Sequence, residues 1–80
     1  MAGIGDVIAN NIRAERARRR MTQADLAEAI GWPRSSIHDI EAGRRKISPD
    51  DLVALCNTFG ITLAELAHGA DPGDLRTLGL

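Results

Sequence analysis

Eighty residues make one domain, and a chain of that size buries only about 60% of the surface its unfolded form exposes, so its stability is modest. Cys56 is the only cysteine, which excludes an internal disulfide and a zinc site built on paired cysteines and points to the reducing cytosol. A net charge of −1 and a pI near 6.0 speak globally against a nucleic-acid partner, because such domains are usually basic. The distribution says otherwise. Residues 13–46 hold nine of the ten basic side chains against Glu15, Asp25, Glu28, Asp39 and Glu41, whereas residues 47–80 hold only Arg76 against five acids. The start of the chain lacks the basic and apolar regions of a secretory leader, and no uncharged apolar run approaches the roughly 20 residues that cross a bilayer. A cytoplasmic protein without membrane contact is therefore expected.

Start and stop signals divide the chain into five short helical segments, each marginal alone and dependent on tertiary packing. The first, residues 6–19, sets Ile8, Ile12 and the stem of Arg16 along one stripe. Thr22 opens the second as N-cap with Asp25 three positions on, Leu26, Ala27 and Ile30 supply its apolar face, and Gly31 ends it. The third is predicted over residues 33–42, with Pro33 in its first turn and Gly43 as its stop. Only Ile37 and Ile40 are clearly apolar inside it, so a broad polar face is left to touch something else. Ser48-Pro49-Asp50-Asp51 starts the fourth, which carries Leu52, Leu55, Cys56 and Phe59 at helical spacing, and Thr62 to Glu65 starts a fifth with Leu63 and Leu66. The run 69–73 breaks the pattern. The expected organisation is an all-α bundle of five short helices over residues 1–68, the fifth supplying the dimer contacts, and a tail, 69–80, that is disordered or serves as a dimer strap.

Two short helices joined by a turn at Gly31, the second with a polar face flanked by arginines, form the arrangement that lays a helix in the DNA major groove. Thr22 and Gln23 stand at the N-terminal turn of the second helix, where exposed N–H groups and the dipole attract a phosphate. Arg34, Ser35 and Ser36 occupy the leading turn of the third, and Arg34 is the best candidate base reader because arginine bonds guanine bidentately. His38 lies one turn further on. Arg44, Arg45 and Lys46 follow the Gly43 stop, where a loop approaches the sugar-phosphate backbone. The cluster Arg18 to Arg20 is open between a dipole partner at the end of the first helix and a DNA contact. Trp32 either packs over the turn, the favoured reading, or stacks on a sugar.

Arg13-x-x-Arg16, then Met21-Thr22-Gln23-Ala24-Asp25-Leu26-Ala27, then Gly31, Ile37 and Ile40-Glu41-x-Gly43-Arg44-Arg45 resembles the Cro and phage-repressor type of helix-turn-helix proteins, the XRE-like family, over about residues 6–67. The resemblance implies a lambda-repressor-like domain that binds double-stranded operator DNA as a homodimer, most simply as a repressor. It also implies that Asp39 faces the groove and that Arg16 and Glu41 form a partly buried structural pair tying the first helix to the end of the third. Pro33 departs from the Ser or Thr cap frequent in that family, and Pro49 stands where relatives offer a further basic residue. Two other roles fit the same family. One is an antitoxin or similar module that binds a second protein through the acidic, leucine-bearing end, residues 63–80; the other is a restriction-modification controller. An enzyme is not expected, since the chain has no convergent nucleophile and base and no glycine-rich phosphate loop. No cofactor or metal is expected either, His38 and His68 lying far apart without ligand-like neighbours.

Overall fold

The computed structural model describes residues 3–80, and all its regular structure is helical: α1 (Ile4–Arg18), α2 (Gln23–Ile30), α3 (Arg34–Glu41), α4 (Pro49–Phe59), α5 (Leu63–Leu66) and α6 (Pro72–Thr77). The boundaries follow from local hydrogen bonding. At the head of α2, Thr22 Oγ1 accepts from the Asp25 N–H at 3.0 Å and Asp25 Oδ2 accepts from the Thr22 N–H at 2.9 Å. Ser48 and Asp51 make the same reciprocal pair before α4, at 3.1 and 3.0 Å. Each pair satisfies two of the donors a helix start leaves open. Gly31 closes α2 with φ of 79° and donates its N–H to the Ala27 carbonyl at 2.9 Å, a left-handed conformation that side-chain-bearing residues rarely adopt.

Pro33 is the N-cap of α3 rather than its first helical residue, so the helix begins at Arg34, one position later than the sequence suggests. With no side chain to accept a bond, the cap works through backbone alone: the Pro33 carbonyl accepts from the Ser36 N–H at 3.0 Å.

Six side chains, Ile12, Leu26, Ile37, Ile40, Leu55 and Leu66, are the largest that are fully buried, and they come from each of the first five helices. Every helix up to α5 is therefore fixed by the same small core. The four-residue α5 gains a second anchor from Asn11, whose Nδ2 donates to the Leu66 carbonyl at 2.7 Å and to the His68 carbonyl at 2.8 Å.

Beyond Gly69 the chain, expected to be disordered or a dimer strap, forms a sixth helix. Asp71 Oδ2 accepts from the Asp74 N–H at 3.1 Å, Pro72 occupies the first turn, and Leu75 packs against the core from α6. Asp71-Pro72 is the same start signal as Ser48-Pro49, hidden between two glycines that read as breakers. No helix among the described residues is long and apolar enough to cross a membrane.

Candidate nucleic-acid interface

α3 is held from below and open above. Ile37 and Ile40 are buried, whereas Arg34, Ser35 and His38 are exposed and Ser36 and Asp39 are half-buried. The side chains of Arg34, Ser35, Ser36 and His38 make no hydrogen bond or ion pair among the described residues. α2 packs on α3 more extensively than any other two helices pack together, so the turn through Gly31 to Pro33 sets the helix as a rigid ridge.

The C-terminal end of α3 is organised by one buried carboxylate. Arg16 donates Nε to Glu41 Oε2 at 2.7 Å and Nη2 to Oε1 at 2.8 Å, with a third bond from Nη1 to the Met21 carbonyl at 2.9 Å. Gln23 Nε2 reaches the same Oε1 at 3.2 Å, and Arg13 Nη2 donates to the Glu41 backbone carbonyl at 3.1 Å. α1, α2 and α3 are thus tied together at a side chain only 2% exposed. Burial by itself pushes the Glu41 carboxyl up, but the hydrogen bonds from Arg16 and Gln23, and then the charges of Arg16 and Arg13, hold it below the ordinary glutamate value.

A second acid acts likewise in α1. Glu15 pairs with Arg18 and Arg19, and the hydrogen bond from Arg19 is the main reason its carboxyl also lies below the usual range. Arg19 further donates Nη2 to the Phe59 carbonyl at 2.7 Å and lies 4.7 Å over the Phe59 ring. Arg19 therefore holds α1 to the end of α4, Arg18 pairs only with Glu15 on its own helix, and Arg20 turns the chain with φ of 54°. Depressed carboxylates stabilise the fold above their unfolded pKa near 4.5 and lose that contribution as pH falls through the lower folded values. Thermal melts should give a Tm that is level between about pH 5 and 7 and falls on further acidification. Glu15→Gln should flatten part of that acid limb; an acid limb identical to the parent's would contradict this assignment.

The three cations after Gly43 are not equivalent. Arg44 is largely exposed, with only a loose 3.8 Å approach to Asp39. Arg45 turns inward: Nη2 lies 3.4 Å from Asp51 Oδ2, and the guanidinium stacks 5.6 Å from the centre of the Trp32 ring. Lys46 is exposed and has no partner among the described residues. Trp32 itself is half-buried against the core, so it packs over the turn and carries Arg45 on its outer face. The sequence does not distinguish the three; the partner that separates them, Asp51, reads there only as a helix-start acid. Glu15, read from sequence only as one acid among five, stands at the i−3 and i−4 positions of Arg18 and Arg19, a local signal for both pairs. Asn11 left no sequence signal, because its partners lie more than fifty residues away.

Residues 8–69 match the family model described as a helix-turn-helix domain. The chain belongs to the helix-turn-helix domain family. α2 and α3 are its two helices, the turn between them is closed by Gly31, and α1, α4 and α5 form the supporting core. Among solved structures, the restriction-modification controller protein C.AhdI from Aeromonas hydrophila is similar at 26% identity and a TM-score of 0.72, covering 78% of this chain and 94% of its own. The hypothetical transcription factor NHTF from Neisseria shares the fold at 23% identity and a TM-score of 0.76, covering 94% and 84%. The clp gene regulator ClgR from C. glutamicum does so at 24% and 0.75, covering 82% and 86%. The helix-turn-helix fold is thus shared with these proteins, with no strand among the described residues.

Proposed function

We propose that the protein is a sequence-specific regulator of transcription that binds a pseudo-palindromic operator as a homodimer, acting in the cytoplasm without cofactor or catalysis. The observation that carries this reading is the unpartnered outer face of α3. A helix-turn-helix whose leading turn offers Arg34, Ser35 and Ser36, with His38 and Asp39 a turn later, is built to have those side chains engaged from outside. Thr22, Gln23, Arg44 and Lys46 border the ridge as phosphate contacts that set register, and Arg45 stiffens the loop that presents its two neighbours. A dimer spaces its two α3 ridges by roughly 34–36 Å, one turn of duplex.

The dimer contacts are assigned to large apolar side chains left exposed outside α2 and α3. Leu66 of α5 is fully buried within its own domain and Leu63 is half-buried, whereas Val53, Leu78 and Leu80 are the large apolar side chains left exposed among the described residues. A second protein at those leucines is the competing occupant, and sedimentation of the purified chain separates the two. Of the biological settings, a restriction-modification controller is favoured by the likeness to C.AhdI; repression follows if the operator overlaps a promoter.

Guanine N7 methylation by dimethyl sulfate tests the docking. Bound protein should protect guanines in two major-groove windows about one helical turn apart. Protection confined to the minor groove, or none at a bound site, would refute the assignment of α3. Arg34→Ala should cost about 1–3 kcal/mol per half-site and relax preference at one base position in each, while Arg44→Ala should weaken all sequences alike. A footprint in which Arg34→Ala leaves site choice unchanged would remove Arg34 as a base reader.

A further inference from the structure

Arg13 lies on α1, outside both helices of the reading unit, yet the geometry brings it to the same point as Gln23. Its Nε is 3.6 Å from Glu41 Oε1, the oxygen that also accepts from Gln23 Nε2 at 3.2 Å. Its Nη2 donates to the backbone carbonyl of Glu41, two residues before Gly43 and the loop that bears Arg44. Arg13 is thus bracketed by the two elements assigned to the DNA backbone.

Its charge is also surplus. Arg16 takes the Glu41 carboxylate with two short bonds and is itself only 14% exposed, so the single negative charge there already has a bidentate partner. Arg13 remains 57% exposed, and a guanidinium has five N–H donors, of which the Glu41 carbonyl takes one. The anchor fixes where the remaining donors sit and removes part of the ordering cost a free arginine meets on binding.

We propose that Arg13 is a DNA-phosphate contact, held in place by the C-terminal end of α3 and acting beside Gln23 on one strand. This rests on the DNA-binding reading above. A phosphate contact contributes affinity without base preference, and it adds one counterion's worth of salt dependence. A charge whose role is only to support Glu41 does neither.

The test is a titration of the full chain on its selected duplex and on a scrambled one at several salt concentrations. Arg13→Gln, which removes one contact from each protomer of the dimer, should make the log–log salt slope shallower by about 1.8 and weaken binding to both duplexes about sixtyfold at 0.1 M salt. Arg13→Lys should restore the parent slope. An Arg13→Gln slope equal to the parent's, in a protein that still melts cooperatively, would overturn the proposal. Should Arg13→Gln fail to fold, phenylglyoxal modification of the parent protein gives the answer by peptide mass: duplex should protect Arg13, and modification unaffected by duplex would overturn it. A parent protein that binds no duplex would instead overturn the DNA-binding reading itself, and this inference with it.

Discussion

Glu41→Ala is expected to lower unfolding free energy by about 3–5 kcal/mol, the cost of breaking a buried pair and stranding its partner. Arg16 is the stranded group. Its side chain is 14% exposed against 2% for Glu41, and with the carboxylate gone its guanidinium keeps one bond, to the Met21 carbonyl. Gln23 and Arg13 lose an anchor at the same time. Against a total stability of about 5–15 kcal/mol for an ordinary domain, and less for one this small, the variant should be largely unfolded at 37 °C. The loss is a penalty for the unpaired charge rather than the worth of the pair, so an Arg16→Met, Glu41→Leu double variant should recover much of it. Urea denaturation reads both effects. A Glu41→Ala loss under about 1 kcal/mol would mean that the site is wet enough to solvate a lone arginine.

Leu55→Ala should cost about 2–5 kcal/mol, through lost transfer free energy and the cavity that remains. Leu55 is fully buried in α4, in a cluster that also holds Ile12, Leu26, Ile40, Phe59 and Leu66. In a domain with one small core those neighbours are themselves fixed by other helices, which limits how far the site can collapse. Val53, two residues away on the same helix and 60% exposed, is the control, and Val53→Ala should stay within about 0.5 kcal/mol in the monomer. Equal losses at the two positions would contradict the assignment of α4's inward face.

What the sequence made legible was whatever is encoded locally. Thr22 with Asp25, Ser48 with Asp51 and Gly31 each announce a boundary through residues within a few positions, and the structure places α2 and α4 at those signals. α6 carried a signal of the same kind in Asp71-Pro72, but the flanking glycines masked it, and the inward face that makes the helix worthwhile is little more than Leu75. Site residues divide in the same way. The outer face of α3 follows from helical periodicity, because Ile37 and Ile40 leave Arg34, Ser35 and His38 to the other side. Partners distant in sequence do not follow: nothing in the pattern joins Arg45 to Trp32 and Asp51, Arg19 to Phe59, or Arg13 to Glu41. Those contacts separate Arg45 and Arg19, which hold protein partners, from the cations proposed to meet DNA, and they bring Arg13 to the proposed interface.

The most direct test of a sequence-specific regulator is selection from a randomised duplex pool over several rounds, followed by titration of the enriched sequence and a scrambled control across salt. The account predicts enrichment of a pseudo-palindrome, affinity at least about a thousandfold above the scrambled duplex, and binding that weakens steeply with salt. A pool that remains random, with equally weak binding to every duplex at every salt, would contradict it and leave the exposed leucines of the C-terminal end as the working surface of the molecule.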